Sequence, residues 1–418
     1  MRYSYRRGVL RRRLTTAIAT TLSYGILLSV LFVGSLAYNW YQSTLKAAAI
    51  NLTFTVTTTA DAGPGSLRQA ITDANAATTT PANPNAIHFN IPGTGVQTIA
   101  LQTALPQITQ PVIIDGTTQA GSSCGDVVAN SMGGTPTPHV LNVEIATTAA
   151  TGLDRNAILA LSAGAQGSTI KGLVVHGQRH PSDSYDIRIL AADSIIECNY
   201  IGALPTGANP GISDPDIYGI WLNSGANNTI VRNNLIANGS GRAAINGSGS
   251  AVNPITGVKI ENNLMGATLA GQVYDTNAMI SLWLTYMLDT TIGGTPDKAN
   301  VMGGIASGTA VSIISSSQIK MQGNYVGVTP DGQPIPNNGT WGTGIGLIQT
   351  DNSQIGGLGA NEGNIVRNSR TGISLTQGKG NAILGNTLTT NTYSIIVDAD
   401  PSLPTIVKGN KIGLDTNG

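Results

Sequence analysis

A short phrase centred on asparagine recurs along the chain. Each copy has a few β-forming residues, a small or polar residue, the asparagine, and then an aliphatic residue often followed by glycine. The marker asparagines are Asn199, Asn234, Asn263, Asn324, Asn386 and Asn410. The intervals on either side of Asn324 are about twice the others, so each has room for another unit, and the segment 364–368 fills the second. Recurrence at a period of roughly 20–35 residues predicts a solenoid.

The segments between turns indicate which kind of solenoid. They are too short for helices, and their Val and Ile residues alternate with period two, as in strands. A barrel or sandwich would also give short strands, but it would not require the same asparagine in each unit. In a parallel coil, equivalent side chains stack about 4.8 Å apart. We therefore predict an all-β parallel solenoid whose inward asparagine amides form a structural ladder and satisfy buried turn carbonyls.

Composition supports a repeat and excludes several other classes. Charged residues are 11% of the chain, against about 25% in ordinary domains. The 52 glycines lack a three-residue period, which excludes collagen, and 41% hydrophobic residues exclude a disordered polyelectrolyte. Six of the 22 cationic residues lie within the first 13 positions, leaving 16 against 22 carboxylates. This distribution argues against a nucleic-acid partner.

The N-terminal segment is typical of membrane targeting. Positive charges precede an uncharged stretch from Leu14 to Leu45, and residues 22–37 are strongly apolar. Residues 1–45 are therefore predicted to be a signal peptide or a transmembrane signal-anchor. Small residues such as Ala37 and Ala49 suit cleavage, whereas an uncleaved segment would cross the membrane through residues 14–38. Either outcome predicts an extracellular or cell-surface location.

Cysteine and histidine give little evidence of a metal or cofactor. Cys124 and Cys198 are far apart in the sequence. In an exported protein they can pair, but Cys198 lies in a strand-like run where a buried, unpaired cysteine is the expected state. His176 and His180 would share a helix face, yet this segment reads as a strand followed by a turn. We predict no metal and no cofactor.

The region before the solenoid reads as a cap. Residues 61–65 form a turn, Ser66 is a helix N-cap, and Gln69 stands at the capping-box spacing. Over residues 66–76, Leu67, Ala70, Ile71 and Ala74 give one apolar face that would cover the open end of the coil. We assign residues 46–80 to a linker and cap, and residues 81–418 to the parallel β-helix. The chain stops in a turn after a repeat, which predicts truncation at the C-terminus.

The opening segment, residues 54–75, together with residues 87–93 and 105–121, resembles bacterial exported right-handed parallel β-helix proteins that carry a CSLREA-type N-terminal motif. The resemblance covers essentially residues 52–418. Where the motif has Cys and Glu, this chain has Gly65 and Gln69. The resemblance implies a right-handed β-helix at the cell surface or secreted, and it implies no single activity.

Parallel β-helices also include pectate lyases, polygalacturonases and epimerases, whose chemistry needs clustered carboxylates. The weak catalytic candidates are Asp183, Asp186, Asp214 and Asp216, and a further pair is Asp398 and Asp400. Each pair lies in an apparent loop, where Asp is a common turn residue. Cations recur just before the ladder at Arg232, Lys259, Lys320 and Lys408. They form either a basic stripe for an anionic polysaccharide or the solvent face of alternating strands.

The leading hypothesis is a non-catalytic, adhesin-like exported rod that contacts extracellular polysaccharide, or a host or neighbouring cell surface. Its contact surfaces would be loops such as residues 203–216 and 329–338. The alternative is a polysaccharide lyase or glycoside hydrolase that acts in a groove of the β-helix. At roughly 25 residues and about 4.8 Å per coil, the rod would be about 70 Å long.

Overall fold

A computed structural model of the chain describes residues 51–129, 135–147, 157–177, 184–208, 218–237, 243–269, 280–303, 308–329, 333–335 and 342–413. The N-terminal segment predicted to target the membrane, and the last five residues, lie outside these ranges. Within the described residues, no helix is both long enough and apolar enough to cross a membrane.

Short strands occupy three long sheets. The first sheet has twelve strands: β1 (Thr53–Val56), β2 (Asn85–Phe89), β4 (Val112–Asp115), β7 (Thr169–Lys171), β10 (Ile195–Glu197), β13 (Ile230–Arg232), β17 (Lys259–Glu261), β21 (Thr291–Gly293), β24 (Lys320–Gln322), β27 (Gln354–Gly356), β30 (Ala382–Leu384) and β33 (Ile406–Lys408). The second sheet has eleven: β3 (Gln97–Leu101), β5 (Val143–Thr147), β8 (Val174–His176), β11 (Tyr200–Ile201), β14 (Leu235–Ile236), β18 (Leu264–Met265), β22 (Val301–Met302), β25 (Tyr325–Val326), β28 (Ile365–Arg367), β31 (Thr387–Thr389) and β34 (Lys411–Ile412).

The third sheet has nine strands: β6 (Leu159–Leu161), β9 (Tyr185–Ile189), β12 (Tyr218–Asn223), β15 (Ala243–Ser248), β19 (Ile280–Thr285), β23 (Thr309–Ile314), β26 (Thr343–Ile348), β29 (Thr371–Thr376) and β32 (Tyr393–Asp398). A small additional pair is formed by β16 (Ile255–Thr256) and β20 (Met287–Leu288). Two 3₁₀ turns cover Gly116–Thr118 and Pro296–Lys298.

Each complete coil contributes one strand to each long sheet, in the order first, second, third. Ile196, for example, pairs in parallel with Ile170 of the preceding coil and Val231 of the next. The fold is therefore a right-handed parallel β-helix. Twelve strands give about 53 Å along the axis. This length is shorter than the predicted one because most coils are longer than the sequence estimate assumed.

Ladders of aliphatic side chains fill the interior. In one ladder of the first sheet, the ten consecutive members between the two end strands have no solvent exposure: Ile87, Ile114, Ile170, Ile196, Val231, Ile260, Ile292, Met321, Ile355 and Ile383. Full burial of such a side chain stabilises the fold by about 1.5–3 kcal/mol. Because each coil packs on its neighbours in this way, the repeat needs few aromatic residues.

The N-terminal end of the interior is covered by α1 (Leu67–Ala76). Its buried face consists of Leu67, Ala70, Ile71 and Ala74, all part of the main core. The backbone N–H of Gln69 donates to the Ser66 hydroxyl at 3.2 Å, so Ser66 caps the helix. The Gln69 side chain donates to Asp73 at 2.7 Å instead of returning to the Ser66 backbone. Only half of a capping box is therefore formed.

Arg68 attaches this cap to the first coil. Its guanidinium forms an ion pair with Asp61 at 2.7 Å and donates to the carbonyls of Thr103, at 2.8 Å, and Ala104. Since all of these partners belong to the turn and the adjacent coil, Arg68 serves to position the cap.

Candidate functional site

The marker asparagines stack in the turns that connect the first sheet to the second. Asn263 illustrates the geometry: its side-chain oxygen accepts hydrogen bonds from the backbone N–H and the side-chain amide of Asn234, at 3.1 and 3.0 Å. Its own amide donates to the Val231 carbonyl at 2.8 Å and to the Asn300 oxygen at 3.1 Å. The structure brings together eight rungs: Asn199, Asn234, Asn263, Asn300, Asn324, Asn364, Asn386 and Asn410.

Asn300 and Asn364 were not among the marker residues, and their turns show why. The residue before most rungs has a positive φ, for example 50° at Asn233 and 67° at Gly323, which favours Asn or Gly there. Ala299 has φ −58°, because a 3₁₀ turn leads into Asn300. The residue before Asn364 likewise has no positive φ. The characteristic phrase is therefore altered at these two rungs while the amide stack continues.

An excursion between the first and second sheets folds back over the outside of the coils. We call residues 121–129 and 135–141 the strap. A disulfide joins Cys124 of the strap to Cys198, with the Cα atoms 5.7 Å apart. The expectation that Cys198 is unpaired is therefore wrong. Cys198 follows β10 in the ladder turn with φ 57°, so its side chain points out of the coil rather than belonging to a buried strand.

Hydrogen bonds continue the strap across successive coils. Asn233 donates to the Gly125 carbonyl at 2.9 Å, and Asn262 donates to the Asp126 carboxylate at 3.1 Å. His139 stacks on Tyr200 with ring centroids 5.2 Å apart, and its Nδ1 accepts from the Gly125 N–H at 2.9 Å. Burial lowers the pKa of His139 to about 4, and burial raises the pKa of Tyr200 to about 12. Both groups are therefore neutral at pH 7.

A buried hydrogen bond between a histidine and a carboxylate lies on the outer side of the second sheet. His176 Nε2 is 2.9 Å from the Glu144 carboxylate, whose other oxygen accepts from the Thr98 hydroxyl. The hydrogen bond from His176 holds the pKa of Glu144 below its usual range. His180 lies outside the described residues. Among those that are described, no group of three or more metal-binding side chains occurs.

The recurring cations of the first sheet belong to two outward rows. Lys259 and Lys320 flank Thr291 in one row, whereas Arg232 and Lys408 belong to the other. In that second row, charge alternates in register through Asp115, Lys171, Glu197, Arg232 and Glu261. Lys171 and Asp115 are 2.9 Å apart, and Arg232 and Glu197 are 2.6 Å apart. The four cations therefore do not form one continuous basic stripe.

The outer side of the third sheet has a different chemistry. We call its outward rows, with Arg370 at their margin, the third-sheet face. Tyr185 stacks on Trp221 at 4.3 Å and on Tyr218 at 5.3 Å. The Arg188 guanidinium lies over Trp221, 4.9 Å from the ring centroid. Arg188, Trp221, Asn246 and Trp283 follow one another in register. Trp283 is partly buried and belongs to none of the ring stacks between described residues.

Farther along the same face, aromatic side chains give way to hydroxyls. Thr309, Thr343 and Thr371 are in register on consecutive strands, followed by Tyr393. They line a groove of about 360 Å³ to which Arg370 and Ile396 also contribute. In the outward rows of the described third-sheet strands, the only carboxylate is Asp398, on the last strand. Aromatic rings, hydroxyls and arginine thus follow the axis on one face.

Of the weak catalytic candidates, only Asp186 lies within the described residues; Asp183, Asp214 and Asp216 lie outside them. Asp186 is fully buried in β9, and its position corresponds to Gly219 in the next coil. A Cβ added at Gly219 would lie 2.6 Å from the side chain of the core residue Ile236. Asp186 therefore occupies an interior position.

The remaining sequence candidates lie near the last coil or in loops. Asp398 is exposed, and hydrogen bonds from Ser402 lower the pKa of Asp400. Of the two loops predicted as contact surfaces, residues 203–208, 329 and 333–335 are described and the rest are not. Among the described residues, candidate aspartates that belong to different pairs do not lie close to one another.

Neither a protein-family model nor a curated protein sequence matches the chain. Among solved structures, it is similar to the A-module of mannuronan C-5 epimerase AlgE4 from Azotobacter vinelandii, with 12% identity, TM-score 0.45, and coverage of 86% of this chain and 97% of that one. It is similar to the Dettilon tailspike protein, with 11% identity, TM-score 0.45, and coverage of 88% and 67%. It is also similar to the catalytic unit of a GH87 α-1,3-glucanase from Streptomyces thermodiastaticus, with 14% identity, TM-score 0.38, and coverage of 88% and 71%. The architecture of this chain is defined by its own strand pairing.

Proposed function

We propose that the protein is an exported, non-catalytic β-helix that binds polysaccharide through the third-sheet face. The observation that carries this proposal is the alignment of Trp221, Trp283 and the three threonines along one side of the axis. Sugar rings pack their C–H faces against aromatic rings, and their hydroxyls exchange hydrogen bonds with threonine and asparagine side chains. The groove of about 360 Å³ leaves space for such a ligand.

Export is part of the same proposal. The disulfide between Cys124 and Cys198 supports export, because disulfides persist in oxidising compartments whereas cytosolic thiols are kept reduced. The basic and apolar segment over residues 1–45 would direct the chain there, and the opening motif supports membership of the CSLREA-type proteins. N-terminal sequencing of the mature protein distinguishes a cleaved signal peptide from a retained anchor. A retained anchor would hold the β-helix at the cell surface, where binding to a neighbouring cell's polysaccharide would be adhesin-like.

The test is a glycan-binding and degradation screen on the purified protein. Binding should weaken on Trp283→Ala, because the aromatic platform is lost, and should persist in Tyr325→Phe, an aromatic change on the second sheet. No release of reducing or unsaturated ends is expected. Release of such ends would contradict the non-catalytic proposal and favour the alternative, a lyase or hydrolase acting in a groove of the β-helix. Absence of any binding would refute the proposed function.

A further inference from the structure

The first and third sheets differ in the carboxylates that accompany their cations. On the first sheet, Lys171 and Arg232 each contact a carboxylate within 3 Å. Lys259 and Lys320 form no ion pair with a described residue, but they line a groove that also contains Glu261 and Glu362. On the third-sheet face, neither Arg188 nor Arg370 has a carboxylate partner among the described residues. Among the described residues, two arginines thus lack counter-ions on strands whose outward rows contain a single carboxylate, Asp398, and this arrangement favours an anionic ligand.

Arg188 is oriented for such a ligand. Its guanidinium is held over Trp221, and its Nε lies buried with no hydrogen-bond partner. The side chain as a whole is only partly buried, so it reaches solvent beyond this atom. A carboxylate offers two oxygens in the geometry that a planar guanidinium matches, so a ligand carboxylate can pair with the guanidinium from the solvent side.

The positions of the two arginines also indicate the direction in which a bound glycan would lie. Arg188 lies on β9, and Arg370 immediately precedes β29, six strands farther along the third sheet. This separation is about 29 Å along the axis. A hexopyranose unit is similar in length to one strand spacing, so a glycan parallel to the axis would place roughly one sugar on each strand. Trp283 would then meet the second sugar beyond the one on Trp221.

We propose that the ligand is an acidic polysaccharide that lies along the solenoid axis, with uronate carboxylates bound by Arg188 and Arg370 about six sugars apart. This inference rests on the proposed function and specifies its ligand. A glycan that crossed the sheet would meet at most one of the two arginines, so its affinity would stop rising at a much shorter length.

Isothermal titration calorimetry with uronic-acid oligomers of two to ten units tests both the acidic nature of the ligand and its alignment along the axis. The probes are galacturonate, glucuronate and mannuronate series. Affinity in at least one series should rise until about seven units and then stay constant. Arg188→Gln and Arg370→Gln should each weaken binding of the long oligomer about tenfold or more. Methyl-esterified oligomers of equal length, which lack the charge, should bind the wild type and both variants alike. Lys259→Gln, on the first sheet, is the matched control and should not change affinity.

The outcomes separate the two proposals. Unchanged uronate affinity in both arginine variants, or a plateau at two or three units, would overturn this inference. If neutral glycans still bound and Trp283→Ala still weakened them, the proposed function would stand without it. If neither acidic nor neutral glycans bound, both would fail. Arg188→Lys distinguishes charge from geometry: it should lose part of the affinity, because an ammonium group lacks the bidentate fork.

Discussion

Replacing one interior rung of the asparagine ladder should destabilise the fold strongly. In Asn263→Ala, five hydrogen bonds of 2.8–3.1 Å are lost: two accepted from Asn234, and three donated to Val231, Glu261 and Asn300. All of these contacts are buried. Asn300 retains the bond from the backbone N–H of residue 263, at 2.9 Å, so it is not left without a donor.

The magnitude follows from the groups that lose their partners. The backbone N–H of Asn234 and the carbonyl of Val231 each lose a buried hydrogen bond, at a cost of about 1–3 kcal/mol each. A small cavity adds to this cost, so we expect the free energy of unfolding to fall by about 4 kcal/mol. Asn410→Ala, at the half-buried last rung, should cost about 1 kcal/mol or less, because water reaches the groups that it leaves.

Urea unfolding followed by far-ultraviolet circular dichroism measures both variants, through the midpoint and the slope of the transition. A solenoid can unfold in stages, so tryptophan fluorescence should be recorded in parallel. Equal losses for Asn263→Ala and Asn410→Ala would show that the buried amide stack contributes no more than an exposed asparagine, and the reasoning would fail.

Three further changes test the strap and the cap. Cys124→Ser should lower the free energy of unfolding by about 4 kcal/mol, since the disulfide closes a long loop, and reduction of the wild type should match it in urea melts. The folded-state pKa of His139, about 4 against 6.5 when unfolded, should make stability decline by about 3 kcal/mol as pH falls between these values, because only the unfolded chain takes up the proton. His139→Phe should remove that component of the pH dependence. Ser66→Ala should cost about 1 kcal/mol in thermal melts; no change would contradict the N-cap assignment.

The ladder turns and the cap were accessible from sequence because each depends on neighbouring residues. Ser66 and Gln69 act within one helical turn, and the left-handed residue before most rungs favours Gly or Asn locally. Only the second half of the capping box differed, because Gln69 finds Asp73 on the next turn.

The disulfide and the third-sheet face could not be predicted from neighbouring residues, because both depend on how many residues each coil contains. Coil lengths vary, so Trp221 and Trp283, which lie two coils apart, carry no local sign that they share a row. A partial signal exists: Asn246 and Trp283 stand at equal distances before the next ladder asparagine, once Asn300 is counted. The pairing of Cys124 with Cys198 requires the path of the strap, which no repeat period encodes.

The alternating charges on the outside of the first sheet restrict how this part of the chain can change in length. Between Asp115 and Glu261, each acidic residue has a basic neighbour one coil away. Loss of the single coil that carries Lys171 would set Asp115 beside Glu197, at about 4.8 Å between strands, with like charges opposed. Duplication or loss of two coils together would preserve the pattern. In this stretch, coils can therefore be gained or lost without opposing like charges only two at a time.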